Sequence, residues 1–194
     1  MYVIPTPWFP KPPFQISNYI EAWIKYPFLT YFKNTILVVV AATMGNVMSS
    51  SITAFGFARI RFPGRDFLFV ILISTMMLPY QVKIIPLFQM YKTIGWLNSL
   101  WPLIVPAFFA SASPFFVFLM RQFFLSIPEE LADAARIDGC GFVNIYLRIF
   151  LPLTKPAMVT VALFSFMDNW NDFFMPLIYI NSNQFKTLSL GLAG

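Results

Sequence analysis

The sequence predicts an all-α fold, a polytopic transmembrane helical bundle, and three observations carry that prediction. The 194 residues are 58% hydrophobic and 19% aromatic, with a mean hydropathy of +0.69. Only 11% are charged, against about a quarter in an ordinary soluble domain. Long uncharged runs alternate with short polar loops, as in a chain that repeatedly crosses a hydrocarbon core about 30 Å thick. The formal net charge of +5 is spread along the chain. No Lys/Arg-rich run interleaves with aromatics, so nucleic acid is not an expected partner. There is no histidine and a single cysteine, Cys140. Ser-His triads, His-based metal sites and an internal disulfide are therefore excluded, and no catalytic or metal-ligating set is expected.

The elements follow in order. Residues 1–30 read as an extracytoplasmic segment. Its start, MYVIPTPWFPKPPF, holds five prolines by Pro13, which rules out a continuous helix. It also lacks the basic-then-apolar pattern of a signal peptide. Lys33 and Arg59 bracket 25 uncharged residues, 34–58, enough for a first span. A basic loop, ARIRFPGRD, turns at Pro63-Gly64. A second span covers 67–87, interrupted by Pro79 and Lys83; such breaks need neighbouring protein to satisfy the freed backbone. Residues 92–102 form a loop with Trp96 and Trp101 at the interface. A third span covers 102–124 and a fourth 154–180. Within the first span, Gly45, Ser49 and Thr53 recur every four residues, a small-xxx-small stripe for helix contact.

Between the last two spans lies a polar insert, 125–152. Its part ELADAARIDGCGFVNIYLRIFLP carries Glu130, Asp133, Arg136, Asp138 and Arg148. Ser126-Ile-Pro-Glu129 matches a capping box, predicting a helix from near Ile127. Leu131, Ala134 and Ala135 share one face of it, and Gly139 and Gly141 end it. A second amphipathic helix runs from Phe142 through Ile145, Tyr146, Ile149 and Phe150, with Pro152 as its stop. Arg59, Arg61 and Arg65 of the first loop and Arg121, Arg136, Arg148 and Lys155 around the insert share one side of the membrane, which the positive-inside rule makes cytoplasmic. By periodicity alone, the insert is either a docking knuckle for another protein or an interfacial helix on the lipid headgroups.

Residue identities separate the two. Asp133-Ala-Ala, then Gly139, then Ile149-x-Leu151-Pro152 resembles the EAA loop of ABC-importer permeases. AFGFARIRFPGRD, PYQVKIIPLF, FLMRQFFLSIPEELADAARIDG and WNDFFMPL extend the likeness over nearly the whole chain. Together they resemble the carbohydrate-uptake permeases, of the kind of the maltose permease's second membrane component. The resemblance implies a type I importer permease with six spans. Four are read here, so the chain, 1–194 as a single transmembrane domain, is expected to be truncated at both ends. It also implies that the insert is a coupling loop in a cleft of a cytosolic ATPase, with Glu130, Asp133, Ala134, Ala135, Asp138 and Gly139 as coupling positions. Asp133 departs from the family's usual Glu; it keeps the charge and shortens the reach by one methylene.

Polar groups inside the spans mark a candidate path. Asp168, Asn171 and Asp172 lie at i, i+3, i+4. Asp168 is about 18 Å and Asp172 about 24 Å into the fourth span, counted from Pro156. Carboxylates there should face protein or a water-filled route. They line that route, or they form hydrogen bonds between helices. Asn46, Ser50 and Gln81 are further candidate liners.

The expected function is the membrane permease subunit of an ATP-driven, binding-protein-dependent importer, most readily for a sugar or sugar derivative. The implied partners are a second permease subunit, an ABC ATPase dimer, an extracytoplasmic solute-binding protein and the lipid bilayer of a prokaryotic inner membrane. No GxxxxGK[ST] loop occurs, so the chain is not expected to be an enzyme. ATP and Mg belong to the partner ATPase, and no cofactor is expected on this chain. A non-sugar solute is the first alternative. The second is an intramembrane enzyme with Asp168 and Asp172 as an acid/base pair. That reading lacks an opposing catalytic group and leaves the insert unexplained.

Overall fold

The computed structural model describes residues 27–109 and 113–193. The expected segment 1–30 therefore lies, up to residue 26, outside the described residues. Every regular element among the described residues is helical.

Helix α1, Phe28–Arg59, is 32 residues long. Among the described residues it is the one helix long and apolar enough to cross a membrane unaided. Its buried side mixes small polar residues with Val38, Val39, Ala42 and Phe55, and its outer side is apolar. Thr35, Asn46, Ser50 and Ser51 are buried, while Leu37, Val40, Met44, Met48 and Ile52 face outward. Lipid rewards apolar groups outside, so close packing inside falls to small and weakly polar residues. The small-residue stripe is used this way. A Cβ on Gly45 would lie 2.8 Å from the Phe108 ring, and Ser49 donates to the Ala107 carbonyl at 2.9 Å.

The second span is two helices, α2 (Arg65–Ser74) and α3 (Tyr80–Thr93), bent by 99° at the break between them. Leu78 is extended, with φ −79° and ψ 115°, as a residue before proline prefers. Pro79 thus makes the expected break. Lys83 does not: it lies inside α3, as does Pro86, and α3 outruns the expected end at residue 87.

The third span departs from expectation. Instead of one helix over 102–124 there is a short α4 (Trp101–Ile104) and a 3₁₀ turn over Val105–Phe108. Phe109 is extended, and the 13-residue α5 spans Pro114–Ser126. Pro102, Pro106 and Pro114 each sit in the first turn of a new piece. Proline is tolerated there because the first turn's N–H groups have no partner within the helix.

The polar insert forms α6 (Glu130–Ile137) and α7 (Phe142–Leu153). Helix α8 is Lys155–Asn171, bent 75° from α7. Pro152 does not stop α7. A π-helical turn over Tyr146–Phe150 precedes it, and the wider turn carries the chain through a residue with no N–H to donate. The fourth span also breaks early: α8 ends at Asn171, and α9 (Phe174–Tyr179) and α10 (Leu188–Leu192) follow. The four expected spans, the second of them interrupted, are thus seen as one unbroken helix, two bent pairs and the shorter apolar α5.

Helix α1 is the spine. Its most extensive packing is with α5, then α8 and the Val105–Phe108 turn. The main core gathers at its C-terminal half: Phe55 meets Phe124 at 5.8 Å and Phe150 at 5.4 Å between ring centroids. Ala132, Ala135, Ile145, Ala157 and Val161 complete the cluster. The polar insert is thereby packed directly onto the bundle.

Candidate functional site

Two sites stand out, one at each end of the core. The first is the polar insert. The expected capping box does not form. Ser126 belongs to α5 and donates its hydroxyl to the Phe123 carbonyl at 2.8 Å. Ile127 is extended because Pro128 follows it. Helix α6 starts instead at Glu130, its first bonds running from Ala132 and Asp133 N–H to the Glu129 carbonyl. Its end matches expectation. Gly139 adopts φ +78°, and Cys140 N–H reaches the Ala135 carbonyl while Gly139 N–H reaches that of Arg136. This is a Schellman closure, which needs a left-handed residue at Gly139.

The faces of α6 differ from the expected set. Ala132 and Ala135 are buried against the core, whereas Leu131 and Ala134 are exposed. Alanine at both inward positions lets α6 lie close to the bundle. Of the expected coupling residues, Glu130, Asp133, Ala134, Asp138 and Gly139 face outward and Ala135 faces in. Asp133 pairs with Arg136 at 2.5 Å, within the same helix. An apolar patch missed from the sequence surrounds them: Ile137 is 87% and Val143 70% exposed, with Leu131 and Phe142 beside them. The signal was available, since Leu131, Ala134 and Ile137 recur every third residue. A cleft of about 680 Å³ borders the patch, lined by Arg59, Arg61, Glu129, Glu130, Asp133 and Arg136 among others.

Arg59 was legible only as a loop charge, yet it anchors this end. Its guanidinium donates to the Phe124 and Ile127 carbonyls and sits 4.7 Å from the centre of the Phe150 ring. It therefore satisfies the Ile127 carbonyl just past α5, adds a second donor to the Phe124 carbonyl, which also accepts from Ile127 N–H, and ties α1, α5 and the insert together. Ser51 and Tyr146 add a hydroxyl pair at 2.9 Å. The Arg61–Glu129 pair, at 4.0 Å and exposed, contributes little.

The second site is a cavity of about 780 Å³ beside the α8–α9 break. The structure brings four expected path residues to its wall: Asn46, Asp168, Asn171 and Asp172, with Phe116 and Phe174 among its apolar liners. Asn46 also donates to Ser165 at 2.9 Å, bonding α1 to α8. Ser50 and Gln81 are not on this wall. Ser50 is buried and donates to the Val47 carbonyl, whereas Gln81 is exposed on α3. Asp172 is not on the helical face assumed for it. Its backbone is extended, with φ −67° and ψ 117°, and its carboxylate accepts from Met175 N–H at 3.1 Å. A side-chain oxygen that satisfies an orphan N–H of the next helix favours a break at that residue. Its carbonyl also accepts from Ser189 at 2.6 Å.

Residues 45–192 match the family described as binding-protein-dependent transport system inner membrane component. The chain belongs to that family. It is accordingly an integral component of the membrane. Similar permeases include the probable ABC transporter permease protein YurM of Bacillus subtilis, 33% identical over 97% of this chain and 60% of that protein. The arabinooligosaccharides transport system permease protein AraQ of Halalkalibacterium halodurans is 35% identical over 84% of this chain and 58% of that protein. Among solved structures, a bacterial ABC transporter involved in import of the acidic polysaccharide alginate superposes with a TM-score of 0.76 at 26% identity. That likeness covers 84% of this chain and 56% of the other. The chain thus spans about three-fifths of the length of the relatives it matches.

Proposed function

We propose that this permease-family chain is the membrane subunit of an ATP-driven, binding-protein-dependent importer for a sugar or sugar derivative. The polar insert docks on the ATPase at the cytoplasmic side. A second permease subunit completes the path, and a solute-binding protein delivers substrate from outside. One observation carries the reading most directly: α6 presents Leu131, Ala134 and Ile137 outward while Ala132 and Ala135 fix it to the core. An exposed apolar face of this kind, rimmed by charges, suits a protein groove. Force on α6 passes through Arg59 and Phe55 into α1, and from α1 to the cavity wall at Asn46. Closure of the ATPase dimer would then move packed helices as units.

The test is ATPase activity of a complex of this chain, a partner permease, the ATPase and the binding protein, run against a panel of sugars. Stimulation by one sugar, abolished by Gly139→Pro, is the expected result. A complex that assembles, binds ATP and answers to no sugar would overturn the sugar reading and favour another solute.

A further inference from the structure

We infer that the 780 Å³ cavity passes uncharged, polyhydroxylated solutes and repels anionic ones. The inference rests on the reading that this cavity lies on the translocation path, and it names the charge class of the cargo. The charged side chains on the wall are Asp168 and Asp172, and no described Lys or Arg lines it.

The rest of the wall fits the same ligand. Asn46, Asn169 and Asn171 supply amide groups, and Phe116, Phe173 and Phe174 supply rings. Sugar hydroxyls donate well to carboxylates and exchange hydrogen bonds with amides. The C–H faces of a sugar ring pack on aromatic surfaces, an arrangement common to pockets that combine apolar walls with a few placed polar groups. A phosphate, sulfonate or uronate would instead meet two like charges in a space screened less than bulk water. The cations that would receive it are elsewhere. Arg59, Arg61 and Arg136 line the cleft by the insert, and Arg121 lies over the Phe69 ring; Lys83 lies over Tyr80, whose ring packs on Phe174 of the wall, and is itself not on the wall.

Relatives of this chain differ on this point. One is named for neutral arabinooligosaccharides, and a solved neighbour serves an acidic polysaccharide. Cargo charge therefore varies among relatives of this chain, one of which is named for sn-glycerol 3-phosphate.

The experiment reads the potential of the cavity in the assembled transporter, independently of what the binding protein selects. Cys140 is replaced by serine, and a single reporter is placed by Asn171→Cys or, as a second position, Met175→Cys. Vesicles holding the whole complex are treated with cationic and anionic methanethiosulfonate reagents of similar size. The rate ratio, normalised to free cysteine in the same buffer, is expected to favour the cation by about tenfold or more, the scale of one charge–charge interaction about 12 Å apart at an effective dielectric near 20. Asp168→Asn should lower that preference. Labelling should slow in neutral di- and oligosaccharides and not in sn-glycerol 3-phosphate. A ratio near one, or in favour of the anion, overturns the charge assignment and leaves the path reading standing. Failure of either reporter to react with any reagent, in a complex that hydrolyses ATP, overturns the path reading itself and this inference with it.

Discussion

The two ends of α1 are held by different chemistry. At the C-terminal end, Arg59 donates to two backbone carbonyls and covers an aromatic ring, and Phe55 packs between Phe124 and Phe150. At the N-terminal end the ties to the residues around α10 are neutral and close. The Thr35 hydroxyl accepts from Leu188 N–H at 2.8 Å, and Asn34 donates to the Gln184 and Lys186 carbonyls. Gly191 lies so near Tyr31 that a Cβ there would fall 2.2 Å from the ring. A charged anchor at one end holds an element that carries charge and faces a protein partner in our reading. Small and neutral groups at the other end fix the segment that follows the Asp172 break. One helix therefore connects the proposed ATPase contact to the wall of the proposed path.

Arg59→Ala should do the most damage. It removes two hydrogen bonds from a charged donor, each worth about 1.5–3 kcal/mol, and takes from the Ile127 carbonyl its guanidinium partner. Sugar-stimulated ATPase should fall to the basal rate, with part of it returned by Arg59→Lys. Unchanged stimulation in Arg59→Ala would show that the anchor is dispensable.

Gly191→Ala comes next. The Tyr31 ring is buried and must move, so a loss of about 1–3 kcal/mol is expected in thermal unfolding of the detergent-solubilised protein. Gly56→Ala is its control: a Cβ there meets nothing within 4 Å, and a helical Gly→Ala change should be neutral or stabilising by about 0.5–1 kcal/mol. Equal effects from the two would mean that close packing does not distinguish these sites.

Asp172 separates structure from transport. Asp172→Ala loses the bond to Met175 N–H, a cap worth about 0.5–2 kcal/mol. Asp172→Asn keeps an oxygen there and should hold the melting temperature near that of the parent while weakening the cation preference of the cavity. If Asn destabilises as much as Ala, the carboxylate acts through charge rather than as a cap.

The same residues show what the sequence made legible. Proline breaks are local, and Pro79 was readable as one. Pro102, Pro106 and Pro114 carried the same signal, yet a run of apolar residues outweighed it in the reading of the third span. The Gly139 closure was readable because left-handed backbone selects glycine. The Asp172 break was not, since a carboxylate inside an apolar run looks the same whether it stays on a helix or caps the next one. Ser126 failed as a cap because the preceding helix reached it first, a competition invisible at the level of a four-residue pattern. Arg59 read as a loop charge because its carbonyl partners come from a helix more than sixty residues away. At the candidate site, Asn46, Asp168, Asn171 and Asp172 could be named from polarity within apolar spans. That Ser50 and Gln81 lie off this wall depends on how the helices turn.

The most direct test of the central claim is the reactivity of Ile137→Cys, in a Cys140→Ser background, with and without the ATPase subunits bound. Docking of the outward face of α6 predicts rapid labelling in the permease pair alone and strong protection, about tenfold or more, in the full complex, since burying one apolar side chain is worth about 1.5–3 kcal/mol. Equal labelling in the two states, with the complex shown to be assembled, would contradict the claim that this face meets the ATPase.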